Sequence, residues 1–238
     1  GSHRNENPLP ATYDTLMMSS GTSMSTPAAA GLSALVRQFF TKGYYPTLKA
    51  NSEDSKAFQS LTSSFIRAIL VNSADPFDLK KSISITSSGP NIRTGFGLPN
   101  ITNSLLYTPL RVVPNSQIKS AEKHIYPLKL HYNNGTELKV TMAYLDPPLS
   151  EESSTILFAD LDLHVVSPSG RLYTGNGYKN NQTEMENTIE RVIVPSSEIE
   201  VGDYQIIITS TNFTDDLIDS INYSIVVNGP FDYLDFQS

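Results

Sequence analysis

Gly21-Thr22-Ser23-Met24-Ser25-Thr26-Pro27-Ala28-Ala29-Ala30-Gly31 is the stretch from which the rest of the chain is read. Pro27 suits the first turns of a helix, and the small residues after it permit close backbone packing. Leu32, Leu35, Val36, Phe39 and Phe40 continue with helical spacing, so a helix is predicted from about Thr22 to about Thr41. Lys42-Gly43 closes it, because a glycine past the last turn takes the left-handed conformation and a lysine suits the negative helix end. Ser23 thereby falls at a helix N-terminus, where free backbone N–H groups and the positive dipole end favour a developing oxyanion. Gly21 keeps the approach to the hydroxyl open, and a rigid element would fix a nucleophile placed there. An ordinary Ser/Thr N-cap would use the same residue types.

Working outward, residues 50–62 are polar and serine-rich and read as a surface insertion. Ser63 or Ser64 is then placed to cap a second helix, with Phe65, Ile66, Ile69 and Leu70 facing a core. Gly95-Phe96-Gly97-Leu98-Pro99-Asn100 reads as a turn, a short helix follows through Leu105-Leu106, and Pro109 and Pro114 punctuate a linker. Beyond it the period changes to two. Leu128, Leu130 and Tyr132 alternate with polar residues, as do Leu138, Val140, Met142 and Tyr144, and Asn134-Gly135 between them predicts a hairpin. Further strands are predicted over Asp160–Val166, Arg171–Thr174, Thr188–Val194, Tyr204–Thr209 and Tyr223–Asn228, with a pairing segment near 117–126. About eight short strands suit a sandwich or jelly roll. The expected organisation is a first unit at 4–107, a linker at 108–114 and a β-unit at 115–238.

The chain has 238 residues with 39% hydrophobic content, enough for ordinary cores, and a net charge of −7 that offers no electrostatic footprint for nucleic acid. No run reaches the length of a membrane-spanning helix. The absence of cysteine excludes disulfides, thiolate metal sites and cysteine nucleophiles. Gly1-Ser2-His3 resembles a cloning scar, so the natural amino terminus is not expected to be shown and any targeting segment would be missing from the sequence. Five Asn-x-Ser/Thr sequons begin at Asn100, Asn134, Asn181, Asn212 and Asn222, little above the roughly four that composition alone predicts.

The string Gly-Thr-Ser-Met-x-x-Pro followed by Ala and Gly resembles the catalytic serine motif of the subtilases, the subtilisin-like serine proteases. Residues 63–74 resemble the penultimate helix of that family, and Gly95-Phe96-Gly97-Leu98-Pro99-Asn100 its closing turn. Ala159-Asp160-Leu161-Asp162-Leu163, continuing to Pro168-Ser169-Gly170, resembles a segment of the jelly-roll domain that follows the protease in kexin-like and alkaline subtilases, and Asp146-Pro147-Pro148 and Gly202-Asp203-Tyr204 match turns of that domain. The resemblance implies the C-terminal portion of an α/β subtilisin-like domain joined to an all-β jelly roll. It implies a serine endopeptidase acting on protein or peptide substrates, with Ser23 as nucleophile and its own N–H as an oxyanion donor. The Asp, His and oxyanion Asn that the family places ahead of the serine have no matching motif here, and His124, His131 and His164 lie among strands without the family's histidine context. This chain alone is therefore expected to be inert and to need an upstream segment of the same protease as partner. A noncatalytic binding or stabilising module, or a pseudoenzyme fragment, is the alternative.

No cofactor is implied for catalysis. Related jelly rolls hold structural calcium at positions matching Asp146 and Asp160, and Asp162, two residues on, projects on the same strand face as Asp160. A solvated acidic face would look the same. Glu151-Glu152 and Asp215-Asp216 read as loop charges. Secreted or endolysosomal residence follows from the resemblance.

Overall fold

The protein is described here by a computed structural model covering residues 3–4, 17–56, 58–78, 83–84, 88–91, 93–149, 156–177, 187–214 and 218–232. Sheet dominates, with few helices. The first half supplies α1 (Thr22–Thr41), a short α2 (Ser52–Lys56), α3 (Ser63–Ser73) and a helical turn at Asn103–Tyr107. The second half supplies β1 (Leu110–Lys119), β2 (Lys123–Leu130), β3 (Leu138–Tyr144), β4 (Leu161–Val166), β5 (Leu172–Thr174), β6 (Ile189–Val194), β7 (Gly202–Ser210) and β8 (Ser220–Asn228). They form two antiparallel four-stranded sheets, ordered β5-β4-β7-β2 and β6-β3-β8-β1. Within the sheets β1 pairs β8, β2 pairs β7, β3 pairs β6 and β4 pairs β5, a nested set like one long hairpin folded over on itself.

The apolar alternates of both sheets meet in one core. Leu128 and Leu130 of β2, Leu161, Leu163 and Val165 of β4, and Tyr204, Ile206 and Ile208 of β7 face Val140, Met142 and Tyr144 of β3 and Tyr223, Ile225 and Val227 of β8. β3 is buried along its whole length because α3 lies over its other face. A second core sits there, where Val36 and Phe40 of α1 meet Phe65, Ala68 and Ile69 of α3 and Ala143 and Val226 of the sheet. Phe40 anchors it, with its ring 4.9 Å from both Phe58 and Phe65. Phe58 thus ties the polar 50–62 segment to the core.

Three local expectations are corrected. Asn134-Gly135 does not close a hairpin: β2 and β3 belong to different sheets, and 131–137 crosses between them with Asn133 donating to the Ser196 carbonyl at 3.0 Å. Seven residues span what a two-residue turn cannot, and both flanking strands bury the same kind of face toward one core. The segment 108–114 is strand from Leu110 onward, and Pro114 fits because β1 is an edge strand whose register shifts opposite Tyr223 and Ile225. The cap of α3 is Thr62, whose Oγ1 accepts from the Phe65 N–H at 3.1 Å, one residue before the serines. Ser64 instead meets the Ser224 hydroxyl at 3.1 Å, and Ser224 donates to the Pro114 carbonyl at 2.8 Å, pinning the start of α3 to the β1–β8 irregularity.

Candidate functional site

Gly21 stands immediately before α1 with φ 141° and ψ 170°, a conformation that glycine adopts readily. Its carbonyl accepts from Met24 and Ser25 at 3.1 and 3.2 Å, which starts the helix. Thr22 and Ser23 precede the first helical bond, so their N–H groups lack a helical acceptor and Ser23 occupies the second helical position. A Cβ at residue 21 would meet only the Met24 sulfur, at 4.0 Å, so the approach is open. The Ser23 hydroxyl is exposed and hydrogen-bonded to none of the described residues. Ser25 and Thr26 turn theirs back onto helical carbonyls, whereas the hydroxyls of Ser23 and Thr22 bond to none of the described residues. The geometry gives a nucleophile-sized group beside two outward N–H donors at a positive helix end.

Every residue from Ser19 to Gly31 is exposed, including Ala28, Ala29, Ala30 and Gly31. The close packing expected of those small residues is not made by any described residue, and Val36 is the first fully buried residue of α1, after half-buried Leu32 and Ser33. No hydrogen bond or ion pair among the described residues joins Ser23 to a histidine or a carboxylate. His124 is engaged within the sheets, its Nδ1 2.7 Å from the Tyr223 hydroxyl and its Nε2 3.5 Å from Glu122. His164 lies on β4, where burial and then Lys123 depress its pKa, and His131 is exposed in the β2–β3 connection.

Asp146, Asp160 and Asp162 gather near one end of β3 and β4. Asp146 accepts from the Phe158 and Ala159 N–H groups at 2.8 and 3.0 Å and so anchors the chain leading into β4. Asp160 Oδ1 is buried without a hydrogen-bond partner, and burial, then Asp146, raise its pKa. Burial, then Asp160, push Asp162 up to about 7. The orphaned Asp160 oxygen fits a hard cation, but Asp146 already serves two amides and no three acidic or histidine side chains among the described residues converge as ligands. The fit to calcium is thus limited to Asp160. Glu151-Glu152 and Asp215-Asp216 lie outside the described residues.

The raised Asp162 pKa makes a stability prediction. A carboxyl that holds its proton more tightly folded than unfolded stabilises the fold below the ordinary value of 3.8 and loses that contribution as pH rises toward about 7. In chelated, metal-free buffer, urea midpoints should therefore fall between about pH 4 and pH 7 through this group. Asp162→Asn should flatten that part of the profile and raise the midpoint at pH 8; an unchanged slope refutes the assignment.

Sequence reading missed the polar joint under α3. Asn72 donates to Asn228 Oδ1 at 2.7 Å and accepts from Thr141 at 2.9 Å, while Ser104 also bonds Asn228. Arg191, fully buried on β6, donates to the carbonyls of Ser88, Val71, Ala74 and Phe96 at 2.9–3.1 Å and lies 5.0 Å over the Phe96 ring. Burial lowers its pKa to about 10, against the pull of Glu137 and Asp75, so it stays charged at neutral pH. It holds the C-terminal carbonyls of α3 and the Gly95–Gly97 turn to the sheet. The one signal was a charged pair, Glu190-Arg191, inside an apolar strand.

Residues 4–98 match the model of the subtilase family. The serine protease/ABC transporter B family protein tagA of Dictyostelium discoideum is 28% identical over 231 residues, which is 89% of this chain and 12% of that protein. The similarly named tagD of the same organism is 35% identical over 83 residues, 35% of this chain and 4% of that protein. The chain thus spans a small part of the curated relatives it matches. Among solved structures, a family GH115 4-O-methyl-α-glucuronidase is similar at a TM-score of 0.28, with 9% identity over 50% of this chain and 14% of that one; no shared architecture follows from it.

Proposed function

Residues 4–98 carry a segment of the subtilase family, and from that premise we propose that the chain is the serine-bearing C-terminal portion of a subtilisin-like serine endopeptidase, α/β in its first unit and followed by a jelly roll. Ser23 Oγ attacks the scissile carbonyl carbon and its proton passes to a histidine. The C–N bond breaks as that histidine protonates the leaving amine, and water then hydrolyses the ester. The observation that carries this reading is the free Ser23 hydroxyl beside the Thr22 and Ser23 N–H groups at the mouth of α1. The histidine, its aspartate and the oxyanion asparagine come from an upstream segment of the same protease. The exposed face of Ala28 to Gly31 supports its docking there, and the nested strand pairing supports the jelly roll.

Fluorophosphonate labelling tests the reading. Covalent modification of Ser23 once the upstream segment is added supports the enzyme, whereas stable assembly with no label supports a noncatalytic module. Residence in a secreted or endolysosomal compartment, protein or peptide substrates and a structural calcium belong to the same proposal. For calcium the support is the orphaned Asp160 oxygen. Added calcium should raise the melting temperature and Asp160→Asn should erase that rise; an identical response in the variant sinks the site.

A further inference from the structure

Sequons are useful only where the acceptor amide stays available, and the fold sorts them. Asn100 accepts from the Asn103 N–H through its Oδ1 and donates its amide nitrogen to Asp75 at 3.3 Å, so a sugar there would displace a bond of the joint beneath α3. Asn222 is exposed on β8, but Tyr223 and Ser224 behind it are fully buried on folding. Asn181 lies outside the described residues. The remaining two differ from these. Asn134 is exposed at the β2–β3 crossing, where its Oδ1 accepts from Thr136 at 3.1 Å and Gly135 takes φ 85°. That turn uses the carbonyl side of the amide, and the nitrogen donates to no described residue. Asn212 is exposed in the connection leaving β7, its amide likewise bonded to no described residue, with exposed Thr214 completing the sequon.

We propose that Asn134 and Asn212 each carry an N-linked glycan. β2 ends opposite the start of β7 and Asn212 follows the end of β7, so the two sugars stand at opposite ends of the paired sheets. A bulky hydrophilic group is tolerated at both places because neither side chain packs on anything. The proposal rests on passage through the secretory route, which belongs to the reading above.

The test is the full chain expressed behind a cleavable leader in a eukaryotic cell and collected from the medium, with intact mass measured before and after peptide N-glycosidase F. In an Asn181→Gln background two glycan masses are expected, with Asn134→Gln and Asn212→Gln each removing one and Thr136→Ala matching Asn134→Gln. Asn100→Gln and Asn222→Gln should leave the mass pattern unchanged. A secreted chain without enzyme-sensitive mass, or with mass that tracks Asn100 or Asn222, overturns the assignment of acceptors. An unmodified endogenous chain beside a doubly modified secreted one overturns it through its premise, the secretory route.

Discussion

Replacing Ser23 by alanine in the protease assembled with its upstream segment is expected to lower kcat for peptide-bond cleavage by about 10⁶-fold and to abolish fluorophosphonate capture. The size follows from how the unit works. In the proposed reaction the hydroxyl forms the acyl bond itself, so no neighbouring group would substitute for it, and what would remain is the modest help of the oxyanion donors and of substrate binding. The fold should not notice. Ser23 is exposed and hydrogen-bonded to none of the described residues, so the melting temperature should move by no more than a surface substitution moves it, within about 0.5 kcal/mol. That split between activity and stability separates a nucleophile from an N-cap: loss of a cap costs about 1 kcal/mol of stability. Gly21, with no side-chain hydrogen bond closing the helix end, already argues against the capping role. Hydrolysis persisting in Ser23→Ala would end the protease reading.

Arg191→Met is expected to destabilise the chain by about 3–5 kcal/mol, read as a shifted urea midpoint. The guanidinium answers four carbonyls from three different segments, at Ser88, at Val71 and Ala74, and at Phe96. Methionine keeps the apolar stem but strips the buried Ala74 carbonyl and the part-buried carbonyls of Ser88, Val71 and Phe96 of this donor, although Val71 keeps the Ala74 N–H. A buried oxygen left without a donor costs about 1–3 kcal/mol before relaxation. Arg191→Lys should recover only part of the loss, because three tetrahedral donors cannot reproduce the planar fork. A midpoint within about 1 kcal/mol of wild type would show that water replaces the arginine and that the joint is looser than its geometry. The second half is thus bolted to the first through its own core.

Much of this was legible from residue patterns. Pro27, the small residues and Lys42-Gly43 mark both ends of α1 at Thr22 and Thr41, and the alternation of Leu, Val and Met marks β3. What periodicity cannot report is the neighbour of the polar face. Lys139, Thr141, Ser224 and Asn228 look like solvent-facing alternates, yet all are buried because α3 and the Asn103–Tyr107 turn cover them. Asn134-Gly135 carries a strong short-range turn signal, but it sits inside a seven-residue crossing whose course is decided by which sheet each strand joins. The small-residue face of α1 shows the opposite case, since its composition suits close packing and no described residue supplies the partner. The place of Ser23 at the start of a helix was legible from its motif and the residues after it; whether three carboxylates meet is a long-range question that Asp146, Asp160 and Asp162 could not answer from spacing.

The nested pairing has a consequence in time. β1 finds its partner only in β8, and α3 closes onto the sheets through bonds such as Asn72 to Asn228, 156 residues apart in sequence. Contacts of that span form late, after a large loop-closure cost has been met. During synthesis the seat beneath α1 is therefore incomplete until Asn228 has emerged from the ribosome, so β8 acts as a clock that delays assembly of the segment bearing Ser23.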